Sequence, residues 1–229
     1  MHCLWCHSSF VPKTNWQYLF GITTKTYLCP QCSKRLEEIQ GPLCDKCGRP
    51  FNHLEPQYRQ ENLCTDCVRW GDGPLTKNRS LYVYNDFLQE VISKWKFRGD
   101  AELSKLFTPQ LKKLIKQLEP FDFIVPIPLS YERSYERGFN QAKLLTEGLQ
   151  YPIVEALVKP INSTKQSKKT RSERLEQKEL FHISSVDVTN KTILLVDDIY
   201  TTGATLYSAA KILKEHGAKK VFSVTVARG

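Results

Sequence analysis

One run near the carboxyl end of the chain constrains the fold more than any other feature: TILLVDDIYTTGATL, residues 192–206. Residues 193–196 are all apolar, which is typical of a strand buried on both faces of a parallel sheet. From Leu206 onward, apolar residues recur at the spacing of one helix face, and Gly217 predicts the end of that helix. Residues 219–228 (KKVFSVTVAR) have the pattern of another strand. The segment therefore predicts a strand, a loop, a helix and a strand.

The loop in this unit lies between the carboxyl end of a strand and the amino end of a helix. Ligands usually bind at this position in open α/β sheets. Free backbone N–H groups and the positive end of the helix dipole favour a phosphate there. Thr201, Thr202 and Thr205 add hydroxyl donors, and Gly203 lets the backbone approach a ligand closely.

Two adjacent acids, Asp197 and Asp198, precede the loop. They cannot serve the phosphate, because like charges repel. They suit the vicinal hydroxyls of a ribose, which carboxylates bind directly or through Mg²⁺. Carboxylates for a sugar beside a loop for its 5′-phosphate predict a phosphoribosyl ligand.

Three other interpretations explain the paired acids less well. A response-regulator acid pocket also follows an apolar strand, but that strand opens its domain, whereas only 31 of the 229 residues follow Asp198. A Walker B strand needs a partner G-x-x-x-x-G-K-[ST] loop, and the chain has no Gly-Lys pair. A plain helix cap needs one acid and not the whole run.

The complete run resembles the phosphoribosyl pyrophosphate (PRPP) motif of type I phosphoribosyltransferases. The resemblance implies that Asp197 and Asp198 hold the ribose hydroxyls. It assigns the 5′-phosphate to a segment that we name the hydroxyl loop, which consists of Thr201, Thr202, Gly203, Ala204 and Thr205.

All eight cysteines lie in the first 67 residues, as four C-x-x-C pairs. A C-x-x-C turn directs two thiolates at one metal, and two turns complete the closed tetrahedron of a structural zinc site. Pairing in sequence order predicts about two Zn²⁺ per chain, although spacing alone leaves a crossed pairing open. The sequential clusters are a first cluster of Cys3, Cys6, Cys29 and Cys32 and a second cluster of Cys44, Cys47, Cys64 and Cys67.

A disulfide framework is the main alternative for these cysteines, but the start of the chain has no pattern of a secretion signal. A redox C-x-x-C explains one pair but not four with no cysteine left over. Gly, Pro and polar residues are frequent from 48 to 74, and GDGP (71–74) predicts a boundary. We therefore expect a zinc-binding domain over residues 1–76 and a second domain over residues 77–229.

The second domain alternates strand and helix patterns. Strand patterns occur at residues 80–87, 121–130 and 151–158, in addition to those around the hydroxyl loop. Helical patterns cover 88–95, 103–118 and 140–149, the last with Asn140 as its cap. This alternation predicts an α/β fold with a mainly parallel sheet, right-handed crossovers and flanking helices.

Residues 159–180 form a polar segment without apolar periodicity, in which 165–178 hold six Lys/Arg against two Glu. A solvated, mobile loop is the simplest interpretation. Beside a phosphate site, such a loop can also close over a pyrophosphate or bind a nucleic-acid backbone. Trp70 and Trp95 are candidates for stacking on nucleobases, or else belong to the core. The candidate nucleic-acid contacts are Lys165, Lys168, Lys169, Arg171 and Arg174.

The chain is basic, with a formal net charge of +9. Two Cys₄ zinc sites would each add about −2, which leaves about +5. This balance favours an anionic partner without distinguishing PRPP from nucleic acid. No apolar stretch approaches the length of a membrane span, so we expect a cytoplasmic protein.

The order of the motifs resembles the ComF family. The C-x-x-C pairs are followed by KFRGD (96–100), VPIPLSYERSYERGFNQAKLL (125–145), a basic SERL segment (172–175) and the PRPP motif. Membership implies a zinc-finger region fused to a phosphoribosyltransferase fold. It also implies a role in taking up single-stranded DNA during natural transformation, alongside a helicase-like ATPase. One departure is Gln177, near which the family often has Asn.

Three functional hypotheses follow. The first is a PRPP-binding protein that acts in DNA uptake. The second is an active phosphoribosyltransferase of nucleotide salvage type, which transfers ribose 5-phosphate from PRPP to a base or amine. In that reaction Mg²⁺ and basic groups, with Arg133 and Arg137 as candidates, neutralise the leaving pyrophosphate. Lys96 and Arg98 either face the same cleft or lie in a solvated linker. The third hypothesis is a zinc-stabilised scaffold with a vestigial ligand site.

Overall fold

The computed structural model describes residues 1–11, 26–97, 100–160 and 180–229. The strands are β1 (Arg59–Gln60), β2 (Leu63–Cys64), β3 (Lys77–Val83), β4 (Phe123–Pro126), β5 (Leu157–Val158), β6 (His182–Ile183), β7 (Thr192–Tyr200) and β8 (Lys220–Arg228). The α-helices are α1 (Pro30–Ser33), α2 (Thr65–Trp70), α3 (Asp86–Phe97), α4 (Thr108–Ile115), α5 (Tyr131–Arg137), α6 (Gln141–Thr146) and α7 (Ala204–Glu215). Short 3₁₀ helices lie at Phe51–His53, Pro56–Tyr58 and Ala101–Leu106. In these four ranges, no helix combines the length and the apolar character that a membrane crossing requires.

Four parallel strands form the main sheet, in the order β3–β8–β7–β4. The register places Leu195 of β7 between Val125 of β4 and Ser223 of β8. Ile153 bridges Ile124 in parallel beyond β4, at the edge of the sheet. Because the strands run in one direction, their carboxyl ends meet at one edge, where β7 leads into the hydroxyl loop.

The apolar run of β7 is buried on both faces of the sheet. On one face, Leu194 and Val196 pack in a core with Trp95 of α3 and Leu111 of α4. On the other face, Ile193 and Leu195 pack in a core with the apolar residues of α7. This two-sided burial explains why four consecutive positions of β7 are apolar, and it confirms the predicted α/β fold class.

The cysteine-rich region packs directly on the sheet. Cys3, Cys29 and Cys32 belong to the same apolar core as α3 and α4. The cysteines of the second cluster belong to the core on the other face, with α7. Strand β3 begins at Lys77, and we propose residues 1–76 and 77–229 as the division between the two domains.

Some element bounds differ from those expected. The long helix expected over 103–118 is instead a 3₁₀ helix followed by α4, because Pro109 lacks a backbone N–H and fits only the first turn of a helix. The strand expected over 151–158 is reduced to the bridge at Ile153 and the two residues of β5. Helix α5 was not predicted, because its exposed residues show no apolar periodicity.

Candidate functional site

Asp197 and Asp198 lie near the carboxyl end of β7, where alternate residues of a strand point to opposite faces. Asp198 is buried and forms an ion pair with Lys96, from the last turn of α3. The backbone N–H of Asp198 donates to Oδ1 of Asp197 at 2.8 Å. The expectation that Lys96 faces the cleft is therefore met, whereas Arg98 lies outside the described residues.

The two carboxyl groups differ in their ionisation. Burial, together with the neighbouring charge of Asp198, raises the pKa of Asp197 to about 8. Lys96 opposes this shift but is already paired with Asp198. A carboxyl group with this pKa holds its proton at neutral pH, and a cation that displaces the proton would gain a second carboxylate ligand. Carboxylate oxygens fit a divalent cation such as Mg²⁺, or the hydroxyl donors of a sugar.

Further cations surround the two acids. Burial and the nearby charge of Arg133 lower the pKa of Arg137, while the charges of Asp198 and Asp197 oppose that shift. Burial and Arg133 likewise lower the pKa of Lys159, against the opposing charge of Asp197. Arg133 and Arg137 lie on α5, which begins at its cap Ser130 directly after the turn that follows β4. Of the two arginines expected on the pyrophosphate side, Arg137 is close enough to both carboxylates to interact with their charges, and Arg133 lies near Arg137 and Lys159.

The hydroxyl loop forms the turn between β7 and α7. Gly203 caps the helix with a φ of 84°, a left-handed conformation that favours glycine. An added Cβ there would lie 2.3 Å from the hydroxyl oxygen of Tyr200, so the loop lies tightly over that ring. The hydroxyl of Thr202 accepts from the N–H of Ala204 at 3.3 Å. Thr201, Thr202, Ala204 and Thr205 are exposed, which leaves the three threonine hydroxyls accessible to an anion.

The cysteines form two clusters, paired in sequence order. Within each cluster, the four sulfur atoms lie within 4.8 Å of one another. Such crowded thiolates need a cation between them: hydrogen bonding with neighbouring sulfurs lowers the pKa of Cys44 below its usual range and raises that of Cys67 above it. An all-thiolate, four-ligand set at this spacing fits a structural Zn²⁺, and the sequential pairing settles the alternative that spacing left open.

The second cluster is tied to the sheet by polar contacts that the sequence did not predict. The side-chain amide of Asn78, on β3, donates to the carbonyl of Cys47 at 3.1 Å. Its oxygen accepts from the hydroxyl of Ser223, on β8, at 2.8 Å. The guanidinium of Arg228 lies 3.6 Å from the sulfur of Cys47. Ser223 and Arg228 lie in the strand pattern of residues 219–228, whereas Asn78 precedes the pattern at 80–87, and only the three-dimensional packing shows what these polar residues contact.

Several predicted contacts lie elsewhere. The basic candidates Lys165, Lys168, Lys169, Arg171 and Arg174 lie outside the described residues, as does Gln177. Trp95 is fully buried and packs on Phe107 in the core, so it offers no stacking face. Trp70 is exposed and packs against Tyr207 of α7. The rings of Trp70 and Tyr207 line a cavity of about 710 Å³ that runs along α7.

Comparison with known proteins agrees with this geometry. The family model of the phosphoribosyl transferase domain matches residues 136–229, and that of the double zinc ribbon domain matches residues 1–68. The competence protein ComFC of Bacillus subtilis (strain 168) is 40% identical over 234 residues, which cover 99% of this chain and 94% of that protein. The competence protein ComFC of Streptococcus pneumoniae (strain ATCC BAA-255 / R6) is 34% identical over 230 residues, with 100% of both chains covered.

A solved phosphoribosyltransferase from Corynebacterium diphtheriae is 21% identical, covers 66% of this chain and 73% of its own, and has a TM-score of 0.35, which is too low to add to the argument. The assignment depends instead on the two full-length relatives and on the two domain models. The chain therefore belongs to the ComFC-type competence proteins of the ComF family.

Proposed function

We propose that this protein binds PRPP, or a related phosphoribosyl ligand, and acts in the uptake of single-stranded DNA during natural transformation. The observation that carries the proposal is a single β–α turn that places two partly neutralised carboxylates beside an exposed hydroxyl loop at the start of α7. The hydroxyl loop would bind the 5′-phosphate, as helix N-termini do. Asp197 and Asp198 would bind the ribose hydroxyls directly or through Mg²⁺, which would supply positive charge beside the pyrophosphate.

Titration calorimetry tests the ligand. We expect PRPP with Mg²⁺ to bind the zinc-loaded protein, and ribose 5-phosphate to bind more weakly because it lacks the pyrophosphate that Arg133 and Arg137 would contact. Inorganic pyrophosphate with Mg²⁺ is the control for binding through the cations alone. If PRPP binds no better than pyrophosphate, the hydroxyl loop is not a 5′-phosphate site.

An active phosphoribosyltransferase is the second candidate, and the cluster of cations around the acids favours it. Arg137 and Lys159 interact with the charges of the acids, and Arg133 lies near both, so these three cations would neutralise a leaving pyrophosphate bound beside the acids. The assay is release of pyrophosphate from PRPP with Mg²⁺ across a panel of nucleobases and amines. Release with one acceptor, lost in Arg137→Gln, would make the protein an enzyme. No release with any acceptor would favour the binding protein.

The proposed role in DNA uptake depends on the relatives and on the charge of the chain. The two relatives described above are named as competence proteins. The basic segment around Lys165–Arg174 would contact the phosphate backbone, so binding should weaken steeply with salt and show little sequence preference. We place the protein in the cytoplasm, where it would act with a helicase-like ATPase of the same system.

Fluorescence anisotropy with a labelled single strand tests the DNA proposal. The variant with Lys168, Lys169 and Arg171 changed to Ala should bind more weakly and with a flatter salt slope. A matched control changes three exposed lysines on other surfaces, Lys113, Lys116 and Lys219, and removes the same charge. Equal losses in both variants would mean that only net charge matters and that the basic segment is not the DNA site.

A further inference from the structure

Arg228 joins the second cysteine cluster to the hydroxyl loop. It is the last residue of β8 and only 4% exposed. Its Nη1 donates to the carbonyl of Thr201 at 3.0 Å and to that of Tyr200 at 3.3 Å. Its Nη2 lies 3.6 Å from the sulfur of Cys47. One buried guanidinium therefore contacts a predicted zinc ligand and the first residue of the hydroxyl loop.

The ring of Tyr200 completes the connection. The guanidinium carbon of Arg228 lies 4.7 Å from the centre of that ring, within the range of a cation–π contact. On another side of the ring, Gly203 leaves no room for a Cβ. The loop is thus held at two points: Arg228 binds the carbonyl of Thr201, and Gly203 lies against the ring that Arg228 contacts. A shift of the guanidinium would therefore displace the loop at both points.

The cluster itself has little freedom to move relative to the sheet. The backbone N–H of Asn78 donates to the carbonyl of Lys46 at 2.7 Å, and its side chain donates to that of Cys47. Gly48 approaches β3 so closely that an added Cβ would lie 2.8 Å from the carbonyl oxygen of Asn78. With the Cys44–Cys47 turn fixed in this way, the position of Arg228 depends on its contact with the Cys47 sulfur.

Charge is what makes this contact depend on the metal. Four thiolates around one Zn²⁺ carry a net charge of about −2, which compensates a buried guanidinium. The Nε of Arg228 has no hydrogen-bond partner among the described residues, so the Cys47 sulfur and the carbonyls of Tyr200 and Thr201 are the hydrogen-bond partners of the guanidinium there. Without the metal, no shared ion fixes the position of the Cys47 sulfur, and the buried guanidinium of Arg228 loses a fixed partner for its charge.

We propose that Arg228 is a positioning residue through which metal in the second cluster holds the hydroxyl loop in its ligand-binding conformation. This inference rests on the proposed function, because it assigns the loop to a phosphoribosyl ligand. Its consequence is that the second zinc site controls ligand affinity, whereas the first cluster lies in the core on the other face of the sheet. Coupling of this kind is reciprocal, so ligand binding must also alter the metal site.

Arg228→Gln tests the proposal, with Arg79→Gln as its matched control. Arg79 also interacts electrostatically with Cys44 and Cys47, but its guanidinium donates to the carbonyls of Asp45 and Asn78. We expect Arg228→Gln to weaken PRPP–Mg²⁺ binding about ten-fold, and Arg79→Gln to change it less than two-fold. Arg228→Lys should recover part of the affinity, because it keeps the charge. Metal analysis and thermal unfolding establish that each variant is folded and zinc-loaded.

A spectroscopic measurement separates positioning from a general structural role. In protein loaded with Co²⁺ in place of Zn²⁺, PRPP–Mg²⁺ should shift the cobalt–thiolate absorption of the wild type and of Arg79→Gln, but not that of Arg228→Gln. Equal PRPP affinity in wild type and Arg228→Gln, or equal losses in both variants, would overturn the proposal.

Hydrogen exchange keeps the inference distinguishable from the proposed function. Amides of residues 200–206 should exchange faster in Arg228→Gln than in Arg79→Gln without any ligand. If the wild type fails to bind PRPP but the two variants differ in exchange, the proposed ligand is wrong and the link through Arg228 to the hydroxyl loop stands. If exchange is the same in both variants, the link is absent whatever the ligand.

Discussion

At the scale of single residues, the two neighbouring carboxyl groups have separate tasks because their surroundings differ. Asp198 has its own cation, Lys96, while burial raises the pKa of Asp197 so that this group holds a proton at neutral pH. Mg²⁺ would therefore displace a proton from Asp197, whereas at Asp198 it would compete with Lys96. The sequence could show that both acids follow β7, but it could not show which of them Lys96 neutralises.

The first prediction concerns the loss of either carboxylate. Asp197→Asn and Asp198→Asn keep the shape of the side chains but cannot form the carboxylate that would bind Mg²⁺ or the ribose hydroxyls. Each should weaken PRPP–Mg²⁺ binding by roughly 1–3 kcal/mol, which is typical of a lost hydrogen bond to a charged group. Calorimetry at constant Mg²⁺ measures the effect. Unchanged affinity in both variants would place the ligand elsewhere.

The second prediction concerns pH. Asp197 ionises near pH 8 in the folded protein but near pH 4 when unfolded, so the folded state holds an extra proton between these values. Stability from this group is therefore complete at low pH and falls as pH rises from about 4 to about 8. Asp197→Asn should remove this loss of stability. The difference between the free energies of unfolding of the variant and the wild type should therefore change steadily from pH 4 to pH 8. A constant gap from pH 5 to pH 8 would contradict the raised pKa.

The third prediction concerns Gly203. Alanine there meets both a left-handed backbone and the hydroxyl of Tyr200, whereas Gly148 has nearly the same φ, 83°, with no atom within 4 Å of an added Cβ. Gly148→Ala is therefore a control for backbone strain alone, which costs about 1–2 kcal/mol. Gly203→Ala should lose more stability and also lose PRPP affinity, as measured by thermal unfolding and calorimetry. Equal stability losses with intact affinity would show that the ring does not support the loop.

At the scale of elements, the sequence predicted those parts whose pattern is local. The predictions of strand β7 and helix α7 were correct, because two-sided burial leaves a continuous apolar run and amphipathicity leaves a periodic one. Asn140 was correctly identified as a cap, and its side-chain oxygen accepts from the N–H groups of Ala142 and Lys143. Such signals depend only on neighbours along the chain.

The contacts that the sequence missed join distant segments. Asn78 and Arg228 lie in strands whose patterns are otherwise apolar or mixed, and each is buried against the second cysteine cluster. A buried polar residue requires a partner, but the sequence does not say which segment supplies it. The site was therefore predictable along β7 and the hydroxyl loop, and unpredictable where the zinc region supports it.

The fourth prediction tests this polar contact between elements. Asn78 is fully buried and bonds Cys47, Ser80 and Ser223. Asn78→Ala should destabilise the protein by roughly 1–3 kcal/mol for each buried group left unpaired. Chemical denaturation measures the loss, with the exposed Asn52→Ala as the control in the zinc region. A loss no larger than that of the control would mean that water replaces the contacts.

At the scale of the whole molecule, the zinc clusters are not appended to the sheet but belong to its two apolar cores. The first cluster contributes cysteines to the core that contains Trp95, and the second contributes to the core that contains Leu195. Structural Zn²⁺ adds on the order of 10 kcal/mol to the folding of the segments that bind it. Metal should therefore stabilise the entire chain, in addition to the first 76 residues.

The last prediction follows from that arrangement. Freshly purified, reduced protein should contain about two Zn²⁺ per chain, and a strong chelator should lower the unfolding temperature of the sheet together with that of the zinc region. Cys44→Ser, at a fully buried position, should cost more stability than Cys6→Ser, at an exposed one. Hydrogen exchange of β7 and β8 reports the sheet separately from the cysteine-rich segments. Two independent unfolding steps, with the exchange of β7 unaffected by the chelator, would show that the domains are only adjacent. In that case the second cluster could not control the hydroxyl loop, because such control requires that metal and sheet share one cooperative unit.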